Sequence, residues 1–253
     1  MTKVNIYGVD GSVQEKIDLP HVFHTLYRPD LIQKSFNVLH SNKRQPYGSD
    51  PFAGTRHSVH SVGKGQGRSR VPRLVQGNAA ALAPCVVGGR RAHPPKVERI
   101  WKEKMNKKER LFARASALAA TADKTLVSTR GHKFDEKITL PVVIDDKFDS
   151  MKKTKDVIDV LQKLGVYEDV LRSADGKHIR AGKGKHRGRK YRTPKSVLII
   201  STQNALQKTS RNITGVDCTT PNNVNIEHLA PGGTAGRLTI MTTSALKALG
   251  GAK

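Results

Sequence analysis

Residues 177–201 read KHIRAGKGKHRGRKYRTPKSVLIIS. The stretch changes character at Ser196. Before it stand nine Lys or Arg in the 19 residues from Lys177 to Lys195, interleaved with Gly. After it, Val197 to Ser201 is a continuous apolar run closed by one serine. A strand with no alternating polar position matches one buried on both faces, as at the centre of a parallel sheet. Arg237 to Met241 (RLTIM) repeats the pattern and leads into a helical stretch from Thr243 to Leu249. Leu140 to Ile144 is a third such strand, ending in Asp145-Asp146. Between the strands, Thr154 to Leu164 places Val157, Ile158, Leu161 and Leu164 at helical spacing, with Gly165 as the C-cap residue. Strands and helices in alternation predict an α/β class: a three-layer globular domain with a mainly parallel sheet.

The N-terminal part fits the same domain. Val4 to Val9 and Val13 to Leu19 alternate around the turn signal Asp10-Gly11, which predicts a hairpin. Pro29-Asp30 opens a helix with Leu31, Ile32, Phe36 and Leu39 on its apolar face. Asn106-Lys107-Lys108-Glu109 has the form of a capping box. The helix behind it, to about Ala122, is expected to bury Leu111, Ala115, Leu118 and Ala119. Leu126-Val127 is a further strand candidate. About 180 residues remain once the basic segments are set aside, enough for a substantial core.

Charge is distributed unevenly. The chain of 253 residues has 45 Lys and Arg against 21 Asp and Glu, a formal net charge of +24. Such a field attracts polyanions, and nucleic acid is the expected partner. No basic amphipathic helix with a Trp or Phe face points to a membrane. From Leu31 to Val97 the only acid is Asp50, and from Gly176 to Val216 there is none against eleven Lys or Arg. The predicted organisation is therefore residues 1–42 and 97–253 as the globular domain, 43–96 as a long extended basic internal loop, and 176–195 as a basic insertion. Residues 43–96 show no sustained helical or strand period and exceed an ordinary connection. At about 3.3 Å per residue, two arms of such a loop reach at most roughly 90 Å.

Arg mixed with Gly suits phosphate: the guanidinium forks two oxygens, and glycine removes the side chain that would block approach. The bland alternative is a solvated linker. Internal placement of both segments argues against it. Aromatic residues are only 5% of the chain. That disfavours base stacking as the main mode and favours shape and phosphate readout of folded RNA. The two cysteines, Cys85 and Cys218, form no CxxC or Cys/His cluster, which fits a reducing compartment and no structural metal. The N-terminus carries no signal-peptide core, so an intracellular protein is expected.

Enzyme readings find little support. Gly63-Lys64-Gly65-Gln66-Gly67 and Gly182-Lys183-Gly184 lack the spacing of a phosphate loop. His57 with His60, and His21 with His24, have no third ligand nearby, and read as surface or RNA-contact residues. Asp145 and Asp146 occupy a strand end, where catalytic groups and plain solvated caps both occur. An RNA-modifying or nucleotide-dependent enzyme on this scaffold is the alternative.

Five blocks occur in order: RRAHPPKVERIW (Arg90 to Trp101), SALAATAD (Ser116 to Asp123), RGHKFD (Arg130 to Asp135), RGRKYR (Arg187 to Arg192) and LAPGGTAGRLTI (Leu229 to Ile240). Together they resemble the universal "L-four" family of ribosomal large-subunit proteins, in its archaeal branch, over essentially the whole chain. The resemblance implies a cytoplasmic, non-enzymatic constituent of the large ribosomal subunit, without cofactor, metal or homo-oligomer. Its implied partners are 23S-type rRNA, neighbouring subunit proteins including protein twenty-two, and the nascent peptide.

The rRNA contacts expected in the loop are Lys43, Arg44, Arg56, His57, Lys64, Arg68, Arg70, Arg73, Arg90, Arg91 and Lys96. In the insertion they are Lys177, Arg180, Lys183, Lys185, Arg187, Arg189, Lys190, Arg192 and Lys195. The resemblance also implies that the loop tip, Arg73, Leu74, Val75, Gln76, Gly77 and Asn78, lines the peptide exit tunnel. Ala79 to Ala83 departs from the family pattern, being apolar where more Gly and Arg are expected. A smooth tunnel wall, packing on a protein neighbour and the filling of an RNA cavity all remain open for it.

Overall fold

The computed structural model describes residues 3–251. In chain order the strands are β1 Lys3–Tyr7, β2 Val13–Asp18, β3 Val59–His60, β4 Arg73–Leu74, β5 Val142–Ile144, β6 His178–Ile179, β7 Tyr191–Arg192, β8 Leu198–Ile200, β9 Asp217–Thr219 and β10 Thr239–Thr242. The helices are α1 Pro29–Asn42, α2 Lys107–Ala119, α3 Lys124–Thr129, α4 Thr154–Lys163, α5 Tyr167–Asp175, α6 Ala205–Ser210, α7 Ile226–Leu229 and α8 Thr243–Gly251. By contact the chain divides into two compact units. One holds the stretches up to His40 and from Lys104 onward, and the other is Ser41–Glu103.

In the first unit, six of the described strands form one sheet in the order β2-β1-β5-β10-β8-β9. β1 and β2 are the antiparallel hairpin predicted around Asp10-Gly11. Every other neighbour in the sheet is parallel: Ile6 pairs with Val143, Ile240 with Val142 and Ile199, and Ile199 with Cys218. VLIIS and RLTIM are thus interior strands, as their unbroken apolar character demands.

Strand pleating sends successive side chains to opposite faces. Val142, Ile144, Ile199 and Ile240 join Val157, Val160, Leu161 and Leu206 in one hydrophobic cluster. Val143, Leu198, Ile200 and Met241 join Ile32, Leu118, Ile226 and Leu246 in the other. Helices α4, α5 and α6 supply the first layer and α1, α2, α7 and α8 the second. This is the three-layer α/β arrangement expected. The C-cap at Gly165 is also found, with φ +66°, a conformation that disfavours any side chain.

Three local expectations are corrected. Leu126-Val127 lies in α3, not a strand: Asp123 caps the helix, its Oδ1 accepting the Thr125 N–H at 2.9 Å. A cap hydrogen bond at the first turn outweighs the short apolar run. Asn106 precedes α2 without a side-chain capping bond. The buried face of α2 is also turned. Ala113, Ser116, Ala117 and Leu118 are inside while Leu111 is 58% exposed. Small residues let the 3-10 turn His21–His24 and α7 approach α2 closely, and Ser116 Oγ accepts the Arg28 N–H at 2.7 Å.

Candidate nucleic-acid interface

The basic insertion of the first unit is a hairpin. β6 and β7 pair antiparallel, His178 with Arg192 and Ile179 with Tyr191, and Arg180 N–H donates to the Lys190 carbonyl at 2.9 Å. A 3-10 turn, Lys183–His186, forms its tip. The side chains of Lys177, Arg180, Lys183, Lys185, Arg187, Arg189, Lys190 and Arg192 are exposed. Lys177 and Lys190 place their ammonium groups 5.0 and 5.5 Å from the centre of the Tyr191 ring. Among the described residues, none of these eight has a carboxylate partner. Lys195 differs, pairing with Asp217 at 2.9 Å.

What holds the root of this hairpin is a buried polar network that sequence reasoning missed. Asp169, at 0% exposure, accepts from His132 Nδ1 at 2.9 Å, Lys133 N–H at 3.0 Å, Arg172 Nε at 2.9 Å and Ser196 Oγ at 2.9 Å. Burial alone would raise its pKa, but the bonds from His132 and Arg172 outweigh that and hold it at about 2. The returning arm is gripped at successive residues. Ser173 Oγ donates to the Pro194 carbonyl at 2.6 Å, and Arg172 Nη2 to the Lys195 carbonyl at 2.9 Å.

Arg237, fully buried, continues the grip. Its Nε donates to Ser196 O at 2.8 Å and its Nη1 to His228 O at 2.8 Å, while Nη2 meets Asp217 Oδ2 at 2.8 Å. Burial lowers the pKa of this guanidinium, and the Asp217 carboxylate opposes the shift. Arg130 plays a parallel part for the PGGTAG loop. Its Nη2 donates to Pro231 O at 2.7 Å and its Nη1 to Thr234 Oγ1 at 2.6 Å. Burial, then the neighbouring Arg237 and Arg172, lower its pKa to about 10. So RGHKFD, the RGRKYR hairpin and LAPGGTAGRLTI, distant in sequence, meet at one place. The clue available in sequence was a pair of lone charged residues beside the apolar strands, Asp217 and Arg237.

Within the second unit, β3 and β4 pair antiparallel, Val59 with Leu74 and His60 with Arg73. Leu74 N–H donates to Ala79 O at 3.0 Å, and Gly77 takes φ +99° in the turn between. The chain therefore reverses direction at the residues expected to form the loop tip. Arg73 Nη1 donates to Asn78 O at 2.5 Å and Arg68 Nη1 to Asn78 Oδ1 at 2.5 Å, so two of the expected RNA contacts brace that turn. Arg56 pairs with Asp50, the one acid between Leu31 and Val97.

Lys64, Arg70, Arg90, Arg91 and Lys96 are exposed and have no acidic partner among the described residues. Lys43 and His57 are exposed as well, as are Val75, Gln76 and Asn78 at the tip. Val62 and Ala81 are buried in this unit, each 5% exposed. Turns and this short hairpin, rather than a continuous extended strand, describe it.

At the strand ends the carboxylates are engaged within the fold. Asp146 caps α8, accepting from Ser244 N–H at 2.9 Å and Oγ at 2.6 Å. Phe148 is fully buried, and Asp149 is bonded to Thr202 Oγ1 at 3.0 Å and Thr242 Oγ1 at 3.4 Å. Among the described residues no three His, Cys, Asp or Glu come together as a metal-ligand set.

Residues 17–252 match the model of the Ribosomal protein L4/L1 family. Three similar proteins bear the name "Large ribosomal subunit protein uL4". That of Methanocaldococcus jannaschii is 51% identical over 249 residues, covering 98% of each chain. That of Thermoplasma acidophilum is 47% identical, covering 98% of this chain and 97% of its own. That of Methanosphaera stadtmanae is 46% identical, covering 99% and 97%.

Proposed function

Since the chain belongs to the ribosomal protein L4/L1 family, with archaeal uL4 proteins as its relatives, we propose that it binds and shapes large-subunit rRNA through its two basic segments. It is a structural constituent of the large ribosomal subunit and not an enzyme. No helix among the described residues is long and apolar enough to cross a membrane. The observation that carries the RNA reading is the Lys177–Arg192 hairpin. Its backbone is paired and its root is locked into the core by Asp169, Arg172 and Arg237, yet its cations face solvent without counter-charges. A protein that orders eight like charges has arranged for an external polyanion to neutralise them.

The loop 43–96 is the second RNA-binding segment of this proposal. Its turn, Arg73 to Asn78, is the part that reaches the wall of the peptide exit tunnel, beside protein twenty-two and the nascent peptide. The braced turn and the exposed Val75 and Gln76 support that reading, because a tunnel wall needs a fixed backbone carrying uncharged side chains.

The test is competition binding. Protein is titrated with 23S-type rRNA fragments, and with duplex DNA of equal phosphate count, across a salt series. Tight RNA binding with a log–log salt slope steeper than about −4 is expected, with rRNA outcompeting the duplex. Equal affinity for both nucleic acids, or affinity indifferent to salt, rejects the proposal.

A further inference from the structure

The chain has a single tryptophan, Trp101, and the structure surrounds it with cations. The guanidinium carbon of Arg44 lies 3.7 Å from the centre of the indole and that of Arg99 lies 4.2 Å from it. Tyr47 stacks on the same indole, with centroids 5.7 Å apart and planes at 20°. All four residues belong to the Ser41–Glu103 unit. Asn42 Oδ1 accepts the Glu103 N–H at 3.2 Å, joining the unit's two ends beside them.

Cation–π contact fixes a guanidinium flat on a ring and leaves its N–H edges pointing outward. Among the described residues, the side chains of Arg44 and Arg99 have no acceptor for those edges. Trp101 Nε1 is a further donor, buried and without a partner. Tyr47 remains 57% exposed although the indole covers one side of it, so its opposite face and phenolic edge are open.

We propose that Tyr47, Trp101, Arg44 and Arg99 form a preassembled site for one unpaired nucleotide of RNA: the base stacks on the open face of Tyr47, and the flanking phosphates take the guanidinium edges. A duplex cannot use it, because its bases are already stacked on each other. The site therefore gives a protein that otherwise reads phosphate and shape a preference for a single-stranded bulge or junction. This rests on the RNA-binding reading above and adds a local specificity to it.

The test uses the full chain and the emission of Trp101. The probes are an eight-nucleotide oligoadenylate and an RNA duplex of the same phosphate count. Oligoadenylate is expected to change the emission. Tyr47→Leu should weaken it by roughly tenfold while changing duplex affinity less than twofold. Tyr47→Phe, which keeps the ring, should restore binding, and Arg99→Gln should flatten the salt slope by about one. Equal weakening of both probes by Tyr47→Leu, a silent Trp101, or failure of Tyr47→Phe to rescue would each overturn the site. Failure of the unmodified protein to bind either RNA would instead reject the RNA-binding reading itself.

Discussion

The guanidinium of Arg237 lies 2.8 Å from the Asp217 carboxylate at 0% exposure, and it also donates to the Ser196 and His228 carbonyls, each at 2.8 Å. One buried side chain thus joins the end of β10's approach to β9 and to the return of the basic hairpin. Removing it takes the donor from the Ser196 and His228 carbonyls and leaves Asp217 with Lys195 as its remaining partner. Arg237→Met is expected to destabilise the protein by about 3–5 kcal/mol in urea denaturation. A loss under about 1 kcal/mol would show that the pocket relaxes or that water replaces the guanidinium.

Asp169 gives the fold an acid limit. Its pKa falls from an ordinary 3.8 to about 2 in the folded chain, so its stabilisation is complete above pH 3.8 and is lost as pH falls toward 2. Burial holds His132 below its ordinary 6.5 against the pull of Asp169. The unfolded chain therefore takes up that proton first, and stability also declines as pH falls below 6.5. Denaturation midpoints measured from pH 8 to 2 should decline in these two windows. Asp169→Asn should cost about 3 kcal/mol at pH 7 and flatten the lower window. An unchanged slope between pH 4 and 2 in that variant would exclude the assignment.

Gly236 sits at φ +87°, and a Cβ there would come within 2.7 Å of the Leu126 carbonyl oxygen of α3. Gly236→Ala combines left-handed strain with that clash and should cost at least about 2 kcal/mol in thermal or urea unfolding. Near-neutral stability would mean that α3 shifts freely against the PGGTAG loop.

The hairpin cations act as charges on a fixed frame. Replacing Arg187, Arg189 and Lys190 together with Gln should leave the unfolding free energy within about 0.5 kcal/mol of the parent, since all three are exposed. The same change should reduce the magnitude of the log–log salt slope for RNA by about 2–3. An unchanged slope would place the RNA elsewhere.

Both hydrophobic clusters are built from residues outside Ser41–Glu103. Deleting Ser69 to Gly88, with a short Gly link, should therefore preserve the cooperative unfolding and rRNA binding of the remaining protein. Its effect should fall on peptide passage through reconstituted subunits. Loss of cooperative unfolding in the deleted chain would show that the segment belongs to the core.

The strands VLIIS and RLTIM, the β1–β2 hairpin and helices α1, α4 and α8 were legible in the sequence because their signals are local: unbroken apolar runs, 3.6-residue spacing, a Gly cap. The two basic segments were legible too, since charge needs no fold to be counted. Helix α3 hid behind a two-residue apolar run, although Asp123 and Thr125 carried its cap. The turned face of α2 depended on which neighbours could approach Ala113 and Ala117, and no spacing within the helix records that.

The amino-acid order by itself determined the α/β class, the family and where the cations lie along the chain. Only the tertiary structure decided which of those cations are spent inside the protein. Arg68, Arg73 and Arg56 are engaged in the second unit, while Arg130, Arg172 and Arg237 act as internal ties and the hairpin's exposed lysines and arginines do not. The physical reason is that a charge pairs over a few ångströms of space, and the chain brings Asp169, Ser196 and Arg237 to that distance only after the sheet has formed.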